Sequence, residues 1–98
     1  MLTFGGELMG AAVELTMEEL RHHRFVSLTD IEQNLANMFS CSPGSADRRL
    51  RRAMNMTEFR VGEYPNPELE KLRVQYQVDV WSVKKFIYAA ARSLMKNE

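Results

Sequence analysis

Apolar residues recur at helical spacing along most of this chain, and polar residues fill the intervening positions. Leu8, Ala12, Leu15 and Val13, Met17, Leu20 predict a helix starting near Glu7, after Gly5-Gly6. Thr16-Met17-Glu18-Glu19 also reads as a capping box. The pattern therefore leaves open one bent helix or two short ones. Phe25-Val26-Ser27-Leu28 is a connector, with a single short strand as its alternative. Thr29, with Glu32 three residues on, predicts the cap of a second helix. Ile31, Leu35, Met38 and Phe39 would share its inner face, and Ser40-Cys41 ends it.

Ser42-Pro43-Gly44 opens the next helix, because serine is a natural N-cap and proline is tolerated at the first helical position. Ala46, Leu50, Ala53 and Met54 form its apolar stripe. The few residues between the second and third helices force a tight hairpin. Phe59-Arg60-Val61 reads equally as a strand, a wing or a turn. Asn66 and Pro67 then predict a cap and a helix start, with Leu69, Leu72 and Tyr76 inward. Gln77-Val78 makes a short turn and Asp79 caps the last helix. Its stripe is Val80, Val83, Ile87, Ala90, Ala91 and Leu94. The expected fold is all-α, with about five helices: two helix-turn-helix hairpins packed on an N-terminal helix, in one domain spanning 1–98.

The hairpins echo each other at an offset of 37 residues. Leu35 matches Leu72, Phe39 Tyr76, Ser45 Ser82, Ala46 Val83, Leu50 Ile87, and Ala53 Ala90. Shared packing needs explain such an echo as readily as duplication does.

Composition narrows the class. The chain has 98 residues, 45% of them hydrophobic, which suits one folded domain rather than a disordered tail. Cys41 is the single cysteine, so no intrachain disulfide can form. No apolar run reaches bilayer length, and the N-terminus lacks the pattern of a signal peptide. These features lead to the expectation of a soluble cytoplasmic protein with no membrane association.

Net charge is zero, but its distribution is uneven. Residues 1–34 set two arginines against six acids, and residues 35–62 set five arginines against two. Arg48, Arg49, Arg51 and Arg52 carry most of the excess, and a local basic face attracts an anionic partner even on a neutral protein. With Leu50 inward, Ser45, Arg48, Arg52 and Asn55 point outward, flanked by Arg49 and Arg51. Arginine pairs bidentately with guanine and asparagine with adenine. Ser42 and the helix N-terminus would meet a phosphate. Nucleic acid, double-stranded DNA above all, is the expected partner. A solvated arginine face balanced by the acidic N-terminal third is the bland alternative.

A second candidate face lies on the last helix, where Trp81, Lys85, Tyr88 and Arg92 recur opposite the apolar stripe. Aromatic residues interleaved with cations suit stacking, a protein partner or a homodimer. Their alternative is ordinary packing under the N-terminal helix. Adjacent His22 and His23 diverge by about 100° on a helix and make a poor chelating pair. The sequence has no CxxC, HExxH or glycine-rich phosphate loop. No enzyme activity, cofactor or metal is expected.

The run from Phe39 to Met54 resembles the helix-turn-helix in the effector domain of the sporulation master response regulator of endospore-forming bacteria. The shared features are an aromatic first-helix end, then Asp47-Arg48, Leu50-Arg51 and Ala53-Met54 as acid-Arg, aliphatic-Arg and small-aliphatic pairs. Pro43-Gly44-Ser45 stands where that family has a polar run with an arginine. The resemblance implies DNA binding by the second helix, with Arg48 and Arg51 among the contacts. The resulting expectation is a small bacterial or phage transcriptional regulator. The other expectation is an adaptor or phage-type inhibitor acting through the Trp81 face.

Overall fold

The computed structural model describes residues 7–58 and 67–96. Five helices account for most of them: α1 (Glu7–Arg21), α2 (Leu28–Met38), α3 (Pro43–Glu58), α4 (Pro67–Gln75) and α5 (Val83–Lys96). There is no strand among the described residues. The all-α expectation holds, and the 25–28 connector is irregular. Residues 59–61, read from sequence as strand, wing or turn, and the Asn66 cap lie outside the described residues.

Helix α1 is one continuous helix, which resolves the alternative posed by Thr16. That residue is fully buried, and its hydroxyl donates to the Ala12 carbonyl at 2.8 Å. A threonine satisfied by the preceding turn has no need to start a new helix. Helix α1 packs most extensively on α5 and also contacts α2 and α3, while α4 rests on α5. One core runs between them, with Met9, Val13, Leu35, Leu50, Phe86 and Ile87 among its fully buried side chains.

Two helix starts differ from expectation. Ser27, not Thr29, caps α2: it has extended backbone, and its hydroxyl accepts from the Asp30 N–H. Helix α5 starts at Val83, where the Ser82 hydroxyl accepts from the Lys85 N–H at 3.3 Å, so Asp79 is not its cap. The connection from Tyr76 to Ser82 is consequently longer than the Phe39–Ser42 turn of the first hairpin. Met38 and Val80, both assigned inward from spacing, are 58% and 76% exposed. Met38 stands at the last position of α2, where Ala36 takes the buried place instead. Val80 precedes α5 altogether, and helical periodicity does not reach it.

Three helices end the same way. After α1, α2 and α4, the residues His23, Ser40 and Gln77 adopt left-handed backbone with φ of 53°, 52° and 54°. The next N–H reaches back across the last turn in each case: Arg24 to the Glu19 carbonyl, Cys41 to Ala36 and Val78 to Arg73, at 2.9–3.0 Å. These are Schellman closures built without glycine. The second and third are 37 residues apart, so the sequence echo extends to backbone geometry. It stops at Ser45 and Ser82, since the former lies within α3 and the latter caps α5.

Candidate nucleic-acid interface

Helix α3 positions the basic residues. Ser42 caps it, its hydroxyl accepting from the Ser45 N–H at 3.1 Å, and Pro43 takes the first position. Ala46, Leu50, Ala53 and Met54 are all buried. That anchors the helix rotation and turns Arg48, Arg49, Arg51, Arg52 and Asn55 to the exterior. Arg48, Arg51, Arg52, Asn55 and the exposed Met56 line one open depression on this face. Ser45 is half-buried and tied by its N–H to Ser42, so it stands at the rim rather than at the centre.

The arginines are held differently. Arg51 donates from Nε to Asp47 Oδ2 at 3.0 Å, one helical turn back. The Arg49 guanidinium lies 5.7 Å from the centroid of the Phe39 ring. Such a contact orients the cation without neutralising it. Arg48 and Arg52 make no ion pair among the described residues.

Sequence reasoning treated Glu32 as the second half of a cap, but it belongs beside this face. It is half-buried on α2, and its Oε2 is buried without a hydrogen-bond partner. Burial pushes its carboxyl up from the ordinary 4.5 to about 7, with hydrogen bonding to Asp47 and the Asp47 charge adding to the rise. The Arg51 charge acts the other way. The signal available in sequence was a pair of acids flanking a short hairpin turn, where facing helices bring them together.

The second candidate face is not assembled as expected. Trp81 is only 9% exposed and lies before α5, packed edge-on against Phe86 with ring centroids 5.9 Å apart and planes at 78°. With α5 starting at Val83, the tryptophan is off the helical face that spacing had placed it on. Phe86, absent from the predicted stripe, takes a central core position. Lys85 is exposed and Tyr88 is 37% exposed. Arg92 donates to the Tyr88 hydroxyl at 3.1 Å and sits 5.5 Å from its ring centroid. The remaining patch is therefore a Lys85–Tyr88–Arg92 surface without its largest aromatic.

Another cationic depression joins the C-terminal ends of α1 and α5. Leu20 and Met95 floor it, and His23, Arg24, Arg92 and Lys96 surround them. Arg24 is pinned by two hydrogen bonds to Glu19, at 2.9 and 3.0 Å. Cations at helix C-termini offset the exposed carbonyl ends, so structural use accounts for this group.

His22 bonds Glu18 at 2.8 Å, on the same helix turn system rather than with His23. Cys41 is half-buried in the Phe39–Ser42 turn. Among the described residues no three His, Cys, Asp or Glu side chains come together as metal ligands. No helix among them is long and apolar enough to cross a membrane. Comparison with protein-family models, curated proteins and solved structures gives no match.

Proposed function

We propose that this chain is a small DNA-binding regulator that uses α3 as its recognition helix. The observation that carries the reading is charge on a fixed face. Four arginines stand outward on α3, and Arg51 alone among them is paired with an acid among the described residues. Arg48, Arg52 and Asn55 share one surface, the arrangement needed to reach base edges in a major groove. Arg49 and Arg51 flank it and suit phosphate contacts, while the capped start of α3 offers backbone N–H groups to another phosphate. A tight hairpin carrying a cationic second helix is the helix-turn-helix arrangement, which is commonly used by dimers on paired half-sites.

The protein-interaction reading depended on an exposed Trp81 and loses its anchor with that ring buried.

Binding of a labelled mixed-sequence duplex at about 50 and about 200 mM salt tests the proposal. The wild type should bind more weakly at the higher salt. Arg48→Ala/Arg52→Ala should weaken binding and flatten the slope of log K against log salt by about two if both contact phosphate, less if they read bases. A wild type with no salt-dependent affinity overturns the reading.

A further inference from the structure

Glu32 sits where it can govern the arginine face. It lies on α2 against α3, with one carboxyl oxygen buried and unpaired, beside the Asp47 carboxylate that holds Arg51 at 3.0 Å. Asp47 and Arg51 are the charged groups that act on it from α3. Helix α1 also packs on α2, but its Glu19 comes close to Asp30 and Ile31 instead. On α2 itself Asp30 is exposed. Three groups thus share one small volume: two carboxyls and one guanidinium, at the edge of the proposed interface.

We infer that Glu32 is a proton-operated gate on the α3 surface, holding Arg51 available to an anionic partner when protonated and drawing it back into an acid pair when ionised. The inference rests on the nucleic-acid reading for its partner, but the gate itself lies within the protein. Protonated Glu32 has a hydroxyl to donate to Asp47, and the cluster then carries one negative charge against one positive. Loss of that proton leaves two carboxylates around a single guanidinium. Arg51 is then held more tightly, and an added negative charge lies beside Arg48 and Arg52. Both effects oppose a phosphate backbone. The upward displacement of the Glu32 carboxyl to about 7 places this change near neutral pH.

Two measurements on the intact chain test the gate. First, NMR follows the Glu32 carboxyl carbon and the Arg51 Nε–H from about pH 5 to about pH 8. Both signals should move with one midpoint, and the Arg51 movement should vanish in Glu32→Gln. An Arg51 signal that stays flat, or that moves equally in the variant, overturns the gate whatever the DNA result. Second, affinity for a mixed-sequence duplex of about 20 base pairs is measured at about pH 6 and about pH 8 at fixed salt. Wild type should lose about threefold more affinity than Glu32→Gln, the scale of one added unit charge at a solvent-exposed interface. His22 and His23 titrate in both proteins and cancel in that difference. Equal losses overturn the gate. A duplex that binds neither protein at either pH removes the nucleic-acid reading, and the Arg51 titration then decides the gate alone.

Discussion

At the scale of single residues, an acid half-buried beside another acid makes stability depend on pH. The Glu32 carboxyl ionises near 4.5 when unfolded and near 7 when folded. Between those values the folded chain holds a proton that the unfolded chain has released. Stability therefore falls as pH rises through that window, and all of the loss is present above about 7. Glu32→Gln should match wild type near pH 5 and exceed it by on the order of 1 kcal/mol near pH 8, after allowance for partial solvent screening. Urea denaturation at the two pH values checks this, and an unchanged difference between them rules it out. Core positions behave more simply. Leu50 and Ile87 are fully buried, so truncation of either to alanine should cost about 2–5 kcal/mol in the same assay. Trp81 was open to two readings in sequence, as surface or as core, because its exposure depended on where α5 begins. That start is set by the Ser82 hydroxyl rather than by Asp79, and both residue types are good caps. Glu32 was hidden for a related reason: a glutamate three residues after a threonine fits a cap as well as it fits a contact across a hairpin.

At the scale of elements, the inner faces of α1, α3 and α5 were legible because buried side chains recur at the helical period over several turns. The ends were not, since serine, threonine and aspartate compete for each start over a span of a few residues. Two kinds of substitution test the helices apart from their packing. A methyl group added at Gly10 meets nothing within 4 Å, and the position is inside α1. Gly10→Ala should therefore stabilise by about 0.5–1 kcal/mol through the unfolded chain alone. Gly10 would instead have to be making room for a partner if the alanine variant folded normally but was no more stable. The left-handed closures offer the converse test. Ser40→Gly and Gln77→Gly relieve the steric cost of positive φ and should each stabilise by about 0.5–1 kcal/mol in thermal or urea unfolding. Equal gains at the two positions would support treating the hairpins as repeats of one backbone plan, a likeness that shows more clearly in their closures than in their side chains.

At the scale of the whole molecule, a net charge of zero leaves little long-range attraction for a polyanion, so affinity must come from charge at short range. This separates two substitutions that alter the net charge by the same amount. Glu14 is exposed on α1, and Arg48 is exposed on α3, on helices packed together through their buried faces. Packed helix axes are about 8–10 Å apart, and side chains on outward faces are farther apart still. At physiological ionic strength the screening length is about 8 Å, so Glu14 is largely hidden from a phosphate bound at α3. Glu14→Gln should then change duplex affinity by less than about twofold, while Arg48→Ala weakens it severalfold. Near 10 mM salt the screening length grows to about 30 Å, and the acid on α1 comes within range of the bound strand. The gain from Glu14→Gln should grow there relative to its value at physiological salt. Equal responses to the two substitutions at physiological salt would mean that the duplex senses overall charge rather than α3. The recognition-helix assignment would then fail even if binding itself were real.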